Sequence, residues 1–228
     1  MSLNFSFNDH KELRGQHALF SPSQSAWLRY DEEKVAEKIR NQYRAPLGTE
    51  IHDFAATQIE LRHKVSNIRN LSKDIESYIY CKYKYLDPKQ EVSEFGMKLV
   101  SNIGYLPKEV FECVRAYVND GIDYKMTVEQ PLIFSTNVFG TADTISFRKN
   151  TLRIHDLKTG SLPAHMEQLE TYAALFCLEY GKKPSEIQME LRLYQWDGIV
   201  VNNPTIEDIL PIMDRIVTIE KIAKEVEA

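Results

Sequence analysis

The chain has 228 residues, of which 43% are hydrophobic and 27% are charged. This length suits one sizeable domain, and the ordinary globular composition excludes long stretches of disorder. The net charge of −5 argues against a protein that coats nucleic acid nonspecifically, because phosphate binding draws on cationic surface.

The apolar segments and the N-terminus do not predict contact with a membrane. No apolar run approaches the roughly 20 residues that a membrane helix needs, and residues 1–15 lack the basic start and apolar core of a signal peptide. The cysteines Cys81, Cys113 and Cys177 are scattered, which indicates reduced thiols and disfavours a disulfide framework or a structural zinc site. We therefore expect a soluble, cytoplasmic protein.

The first half of the chain is predicted to be mostly helical. Periodic apolar residues and capping signals indicate helices through Trp27 and Leu28, from Asp31 to Tyr43, from Pro46 onward, and over residues 73–86, 92–103 and 107–119. Residues 1–120 are therefore expected to form a helical N-terminal region.

The second half changes character after Gly121. Segments rich in β-forming residues predict strands over 124–134, 138–147, 151–157 and 187–196, with a tight turn at Lys149–Asn150, a helix over 164–180 that ends at Gly181, and a last helix after Pro204–Thr205. This order predicts an α/β fold, with residues 121–228 as the sheet-containing core of a single domain over residues 1–228.

The stretch from Gly140 to Gly160 carries the most informative chemistry. Asp156 and Lys158 project to the same face of one predicted strand, because alternate side chains of a strand share a face. A hairpin closed near Lys149–Asn150 sets Asp143, on the neighbouring strand, roughly opposite Asp156. Two carboxylates and an ammonium group would then converge at one end of the sheet.

This combination suits hydrolysis of a phosphodiester. Carboxylate oxygens hold Mg²⁺ or Mn²⁺, the ion lowers the pKa of a bound water, and a lysine orients that water or offsets developing charge. A surface hairpin with solvated Asp and Lys side chains is the alternative, and for an isolated D-x-K motif it is the better interpretation, because so short a motif recurs by chance.

Further motifs accompany the D-x-K pair in a fixed order. Gln168 and Tyr172 lie one turn apart on the following helix, and His52 follows Gly48 by four residues within a predicted helix. The pattern G-x-x-x-H, G-x-x-D, D-x-K-T-G and Q-x-x-x-Y resembles the RecB-type branch of the PD-(D/E)XK nucleases, which includes CRISPR-associated exonucleases and many phage recombination exonucleases. The motifs span more than half of the chain.

The resemblance implies a restriction-endonuclease-like core, a small mixed sheet flanked by helices, and a role for each motif residue. It implies metal ligation by His52, Asp143, Asp156 and the backbone carbonyl of Leu157, catalysis by Lys158, and substrate contacts by Thr159, Gln168 and Tyr172. Residues 121–228 would be the catalytic core of a nuclease domain.

Several of these residues have an alternative interpretation from the sequence. His52 is either a ligand, better suited to Mn²⁺ than to Mg²⁺, or a buried core histidine. Tyr172 could instead pack between helix and sheet. Glu129, on the preceding strand, is either a further metal ligand or an exposed strand residue. Ser21 and Ser23 resemble an S-x-S element near the substrate path of such nucleases, but a helix cap needs no function and is the preferred interpretation.

Two features of the family are missing from the sequence. Relatives with an iron–sulfur cluster carry a cysteine soon after the S-x-S element and three more near the C-terminus. Here that region reads Trp27–Leu28–Arg29–Tyr30 and no cysteine follows Cys177, so no cluster is expected. The chain also lacks a phosphate-binding G-x-x-x-x-G-K-[ST] loop, so we expect no built-in ATPase.

The resulting expectation is a metal-dependent DNA nuclease, foremost an exonuclease acting in recombination, repair or phage DNA processing. An endonuclease of the same superfamily is the first alternative, and a non-catalytic nucleic-acid- or protein-binding module that retains the fold is the second. Expected partners are single-stranded DNA or duplex ends, with a homo-oligomer or a recombination protein as further candidates. A phage-encoded protein would act in the host cytoplasm.

Overall fold

The computed structural model describes residues 18–86, 91–160 and 165–227. By its internal contacts the chain divides into two compact units, Met1–Tyr43 and Arg44–Ala228. The boundary therefore lies near residue 43, and the helices that follow it belong to the same unit as the sheet. Two of those helices, Arg44–Leu61 and Lys108–Asp123, contact the strands directly.

The first unit holds a short 3-10 helix, Pro22–Arg29, and helix α1, Glu32–Asn41. Ser21 occupies the N-cap position of the 3-10 helix, and its backbone carbonyl accepts a hydrogen bond from the Trp27 indole at 2.8 Å. The Asp31 carboxylate caps α1 by accepting a backbone N–H bond at 2.8 Å. Helices are thus confirmed in both predicted segments.

In the described ranges, four further helices precede the sheet: α2, Arg44–Leu61; α3, Ile68–Tyr85; α4, Glu94–Ile103; and α5, Lys108–Asp123. Buried residues recur at helical spacing on α2 and α3, among them Ile51, Phe54, Ile75 and Ile79. Helix α3 begins five residues before its predicted start at 73, because Asn67 caps it by accepting a backbone N–H bond at 2.9 Å.

Five strands form one sheet in the order β1-β2-β3-β4-β5. They are β1, Thr127–Ile133; β2, Phe139–Arg148; β3, Thr151–Lys158; β4, Gln188–Gln195; and β5, Gly198–Asn202. Strands β3 and β4 run parallel, and the other neighbours are antiparallel. The fold is therefore α/β with a mixed sheet, as predicted.

The sequence-based prediction missed strand β5 and began β1 too early. Gln195 pairs with Gly198, so a two-residue turn at Trp196–Asp197 joins β4 to β5. The Asp–Gly pair in this segment is a hairpin signal that the prediction overlooked. Strand β1 starts at residue 127 because α5 continues to Asp123. Between the two elements, Lys125 adopts a left-handed conformation with φ of 55°.

The predicted turn between β2 and β3 is confirmed. Lys149 and Asn150 have φ values of 49° and 61°, the left-handed pair that a two-residue hairpin turn requires. Arg148 and Thr151 pair across this turn. The turn sets the register of the hairpin, and thereby decides which residues of the two strands face each other.

Helices cover both faces of the sheet. Helices α6, Glu167–Glu179, and α7, Ile206–Glu227, share a buried apolar cluster with side chains of β2, β3 and β4. Helix α5 packs on the opposite face, where Tyr117 meets Tyr194 edge to face at 5.3 Å. Gly181, with φ of 59°, follows α6 as predicted, whereas the predicted start of α6 at residue 164 lies outside the described residues.

None of the helices within the described ranges combines the length and the apolar character that crossing a lipid bilayer requires.

Candidate active site

The β2–β3 hairpin brings two carboxylates together at the end remote from its turn. Thr144 pairs with His155, and the same register continued by one step sets Asp143 opposite Asp156. Asp156 is only 3% exposed, and the side chain of Asp143 is 21% exposed. A pair of largely buried carboxylates on adjacent strands is costly unless cations or hydrogen-bond donors compensate it.

Lys158 supplies the cation beside Asp156. Its ammonium nitrogen donates to Asp156 Oδ1 at 3.1 Å and lies 2.8 Å from Oδ2. Burial, and after it the charge of Asp143, raises the pKa of Asp156 to about 6, against the opposing effects of Lys158 and His52. A carboxyl group perturbed by burial and by a specific charged neighbour is a candidate for a functional site.

His52, on helix α2, contacts the other carboxylate. Its Nδ1 lies 3.3 Å from Asp143 Oδ2, and the same oxygen accepts the Leu157 backbone N–H at 3.3 Å. Burial lowers the pKa of His52, but the hydrogen bond to Asp143 and the charges of Asp143 and Asp156 outweigh it, so the pKa is raised. His52 thus belongs to the carboxylate cluster and does not lie in an apolar core.

Glu129 extends the row of carboxylates to a third strand. Val128 pairs with Thr144 and Gln130 with Ala142, so Glu129 takes the register position opposite Asp143. Its φ of 48° is left-handed, a conformation that non-glycine residues seldom adopt and that often marks a functional position. Burial and then the charge of Asp143 raise the pKa of Glu129, which indicates that its carboxyl group faces the cluster.

Helix α6 contributes the side chain that holds Lys158. Gln168 Oε1 accepts a hydrogen bond from the Lys158 ammonium at 3.0 Å. The ammonium is therefore fixed between Gln168 and Asp156, while Gln168 itself is exposed to solvent. In this arrangement Gln168 orients the lysine through its amide oxygen. The amide nitrogen of Gln168 takes no part in the bond to Lys158.

Two glycines of the sequence motifs make room for two other motif residues. A Cβ added at Gly48 would meet Thr159 Oγ1 at 2.8 Å, and one added at Gly140 would meet Tyr172 Cε1 at 2.9 Å. Both distances are shorter than a carbon contact allows, so each glycine lets its partner approach the backbone. The four motifs are thus physically interlocked around the carboxylate pair.

Substituting Gly140 by alanine should therefore displace the Tyr172 ring and destabilise the protein. Overpacking of this kind costs about 1–3 kcal/mol of unfolding free energy, measurable by urea denaturation. Gly104→Ala is the matched control, because its added Cβ meets nothing within 4 Å. Tyr172→Ala in the Gly140→Ala background should recover part of the loss. Equal stability of the two glycine variants would contradict the predicted contact.

The cluster offers ligands of the kind that divalent cations bind. Asp156 Oδ2 is buried, makes no hydrogen bond in the described parts of the chain, and forms an ion pair with the Lys158 ammonium at 2.8 Å. Carboxylate oxygens with one imidazole suit Mn²⁺ or Mg²⁺, so the residues fit the implied metal. Leu157 is buried, and its backbone N–H donates a hydrogen bond to Asp143 Oδ2.

Across the three described ranges, no group of three or more His, Cys, Asp or Glu side chains is drawn together as an ion-binding set. His52 and the Leu157 backbone N–H contact Asp143, and Lys158 contacts Asp156.

Ser21 belongs to the first unit, and the side chain of Ser23 lies outside the described residues. Lys82, on α3, donates at 2.7 Å to both Glu50 and Asp53 of α2 and is thereby neutralised.

The sequence-based prediction missed Tyr117, because this residue occupies one more apolar position on α5. Its ring is 3% exposed, and burial followed by the charge of Asp143 raises its pKa well above the ordinary value. Tyr117 therefore forms part of the wall behind the carboxylates. No local signal distinguishes it from a packing residue.

Comparison with known proteins connects the chain to one family. No curated protein and no solved structure matches it. The model of a family described as protein of unknown function, DUF2800, matches residues 17–181. The matched range covers well over half of the chain and contains every residue of the carboxylate cluster. The chain therefore belongs to the DUF2800 family.

Proposed function

We propose that this protein is a metal-dependent nuclease with a PD-(D/E)XK type of active site on a restriction-endonuclease-like core. The observation that carries the proposal is the position of Asp143 opposite Asp156 on adjacent strands, with Lys158 bonded to Asp156. A five-stranded mixed sheet with helices on both faces is compatible with that core.

The ligands proposed for the metal are Asp143, Asp156, His52 and the Leu157 carbonyl, with Glu129 as a further oxygen donor. A bound Mg²⁺ or Mn²⁺ lowers the pKa of water and offsets negative charge on a phosphate. Asp156 would contribute the buried Oδ2, which lies 2.8 Å from the Lys158 ammonium, and Asp143 an oxygen that His52 and the Leu157 backbone N–H already contact. Preorganisation of this kind lowers the cost of ordering ligands at the moment of binding.

Lys158 is the proposed catalytic residue. Its ammonium orients the attacking water or offsets charge that develops on the scissile phosphate, and Gln168 and Asp156 hold it in position. Thr159 and Tyr172 line the same end of the sheet through their contacts with Gly48 and Gly140. They are proposed to contact substrate phosphate.

DNA is the proposed substrate, with exonuclease action as the leading form. Purified protein should be incubated with linear duplex, circular duplex, single-stranded DNA and RNA, each with Mg²⁺, Mn²⁺ or EDTA. We expect linear DNA to be degraded with either metal, and circular DNA and the EDTA samples to stay intact. Cleavage of circular DNA would instead indicate an endonuclease. Binding of DNA without cleavage under all conditions would contradict the nuclease proposal and favour a non-catalytic module.

A further inference from the structure

A chain of hydrogen bonds crosses the sheet face opposite α6, behind the carboxylate cluster. The Tyr194 hydroxyl on β4 donates to Asp120 Oδ2 on α5 at 2.6 Å, and the same hydroxyl lies 3.3 Å from His155 Nδ1 on β3. Arg192 donates to the same Asp120 oxygen at 2.9 Å. The cleavage chemistry proposed above uses none of these four side chains.

The number of hydrogens available along this series of hydrogen bonds assigns the tautomer of His155. The Tyr194 hydroxyl has a single hydrogen, and its short bond to the Asp120 carboxylate consumes it. Toward His155 the hydroxyl oxygen can only accept, so His155 Nδ1 must carry the hydrogen. Nε2 is buried and has no hydrogen-bond partner in the described residues, which suits the bare nitrogen of a neutral ring.

The surrounding aromatic rings hold the side chains of this hydrogen-bond chain in place. Tyr117 packs edge to face on Tyr194 at 5.3 Å, and Tyr124 packs on His155 at 5.6 Å with the planes at 90°. Arg192 donates to the Tyr124 hydroxyl at 2.9 Å. His155 and Tyr194 are both fully buried, so neither ring has a second rotamer within easy reach.

His155 is adjacent to Asp156 in the strand, and the two side chains point to opposite faces of β3. The His155 backbone carbonyl also accepts a hydrogen bond from the Thr144 hydroxyl at 3.2 Å. Thr144 is the strand partner of His155 and directly follows Asp143 on β2. Clamping the His155 ring and its carbonyl therefore constrains the backbone torsions that aim Asp156. A shift of His155 would move that carboxylate relative to Asp143.

We propose that Asp120, Tyr194 and His155 form a positioning relay that holds His155 as its Nδ1–H tautomer and thereby fixes Asp156 in the active site. The tautomer and the position of Asp156 are properties of the fold, whereas the consequence for cleavage rests on the proposed nuclease function. None of the three residues contacts substrate in this proposal.

The first test is nitrogen-15 NMR of the imidazole rings in the full-length protein. His155 should show a protonated Nδ1 and an unprotonated Nε2, and Tyr194→Phe should abolish or shift the Nδ1–H signal. The assignment follows from the loss of one ring signal in His155→Gln. A wild-type His155 ring protonated on Nε2 would overturn the relay.

The second test follows the Asp156 carboxyl carbon by carbon-13 NMR, which requires no activity. Tyr194→Phe should shift this resonance. Tyr83→Phe is the matched control, because that hydroxyl also donates to a carboxylate, Glu50 Oε1 at 3.0 Å, but belongs to α3, which carries no residue of the relay. An Asp156 resonance that is unchanged in folded Tyr194→Phe would overturn the positioning role.

Kinetics then connect the relay to the proposed function. Tyr194→Phe should lower kcat about ten- to hundredfold with KM within about twofold, because loss of an outer supporting contact misaligns the reacting groups. Tyr83→Phe should keep wild-type kcat. An unaltered kcat in Tyr194→Phe would overturn the relay's role in catalysis. A wild-type protein that cleaves no substrate would instead refute the nuclease proposal, and the two NMR measurements would still decide the relay.

Discussion

Replacement of Lys158 by alanine should lower the rate of phosphodiester cleavage by about a hundredfold or more, since removal of one preorganised charge contact typically costs that much. The variant should still fold, because Lys158 sits at the end of β3 with a partly exposed side chain. Metal affinity should stay equal or rise, because the ammonium no longer competes for Asp156. Single-turnover cleavage and calorimetric metal titration measure the two effects separately.

Two companion variants make this experiment specific. Lys221→Ala removes an exposed lysine of α7 and should cleave at the wild-type rate. Gln168→Ala releases the Lys158 ammonium from its second partner and should give an intermediate rate. Near-normal cleavage by Lys158→Ala would mean that the D-x-K pair is not catalytic, and the nuclease proposal would then be wrong.

Asp143→Ala should abolish the stabilisation that Mg²⁺ or Mn²⁺ gives to the wild-type protein. A ligand present at a hundredfold excess over its Kd stabilises the folded state by about 2.7 kcal/mol. In a chain of this size that corresponds to roughly 5–11 °C in Tm. The variant loses a proposed oxygen ligand and also the 3.3 Å contact between Asp143 and His52. Thermal melts with increasing Mn²⁺, referenced to EDTA, measure the shift.

Asp123→Ala provides the control for removal of one carboxylate. Asp123 is exposed at the end of α5 and pairs with Lys64 at 2.5 Å, away from the cluster. This variant should keep the full metal-induced shift. If Asp143→Ala also kept it, the ion would bind elsewhere and the proposed ligand set would fail.

Local sequence signals sufficed for the part of the site that lies on one hairpin. The left-handed turn at Lys149–Asn150 sets the register, and the alternation of a strand then decides that Asp143 faces Asp156 and that Lys158 accompanies Asp156. These relations depend on neighbours within about fifteen residues, whose geometry is dictated by turn chemistry and by the two-residue period.

Contacts between distant segments could not be derived in this way. The motif order suggested that His52 and Gln168 act together with the hairpin, but only packing of α2 and α6 on the sheet decided that His52 meets Asp143 and that Gln168 holds Lys158. The left-handed backbone of Glu129 is likewise invisible in the sequence, because its side chain alone predicts an ordinary strand residue.

The sequence by itself determined the α/β class, the order of most elements and the carboxylate–lysine hairpin, because each depends on local periodicity, turn residues and strand alternation. Tertiary structure alone decided that α2–α5 belong to the same unit as the sheet, and that Asp120, Tyr194 and His155 meet behind Asp156. Those three residues come from three elements spread over 75 positions of the chain. Their contact arises from burial of the sheet face under α5, which no local pattern encodes.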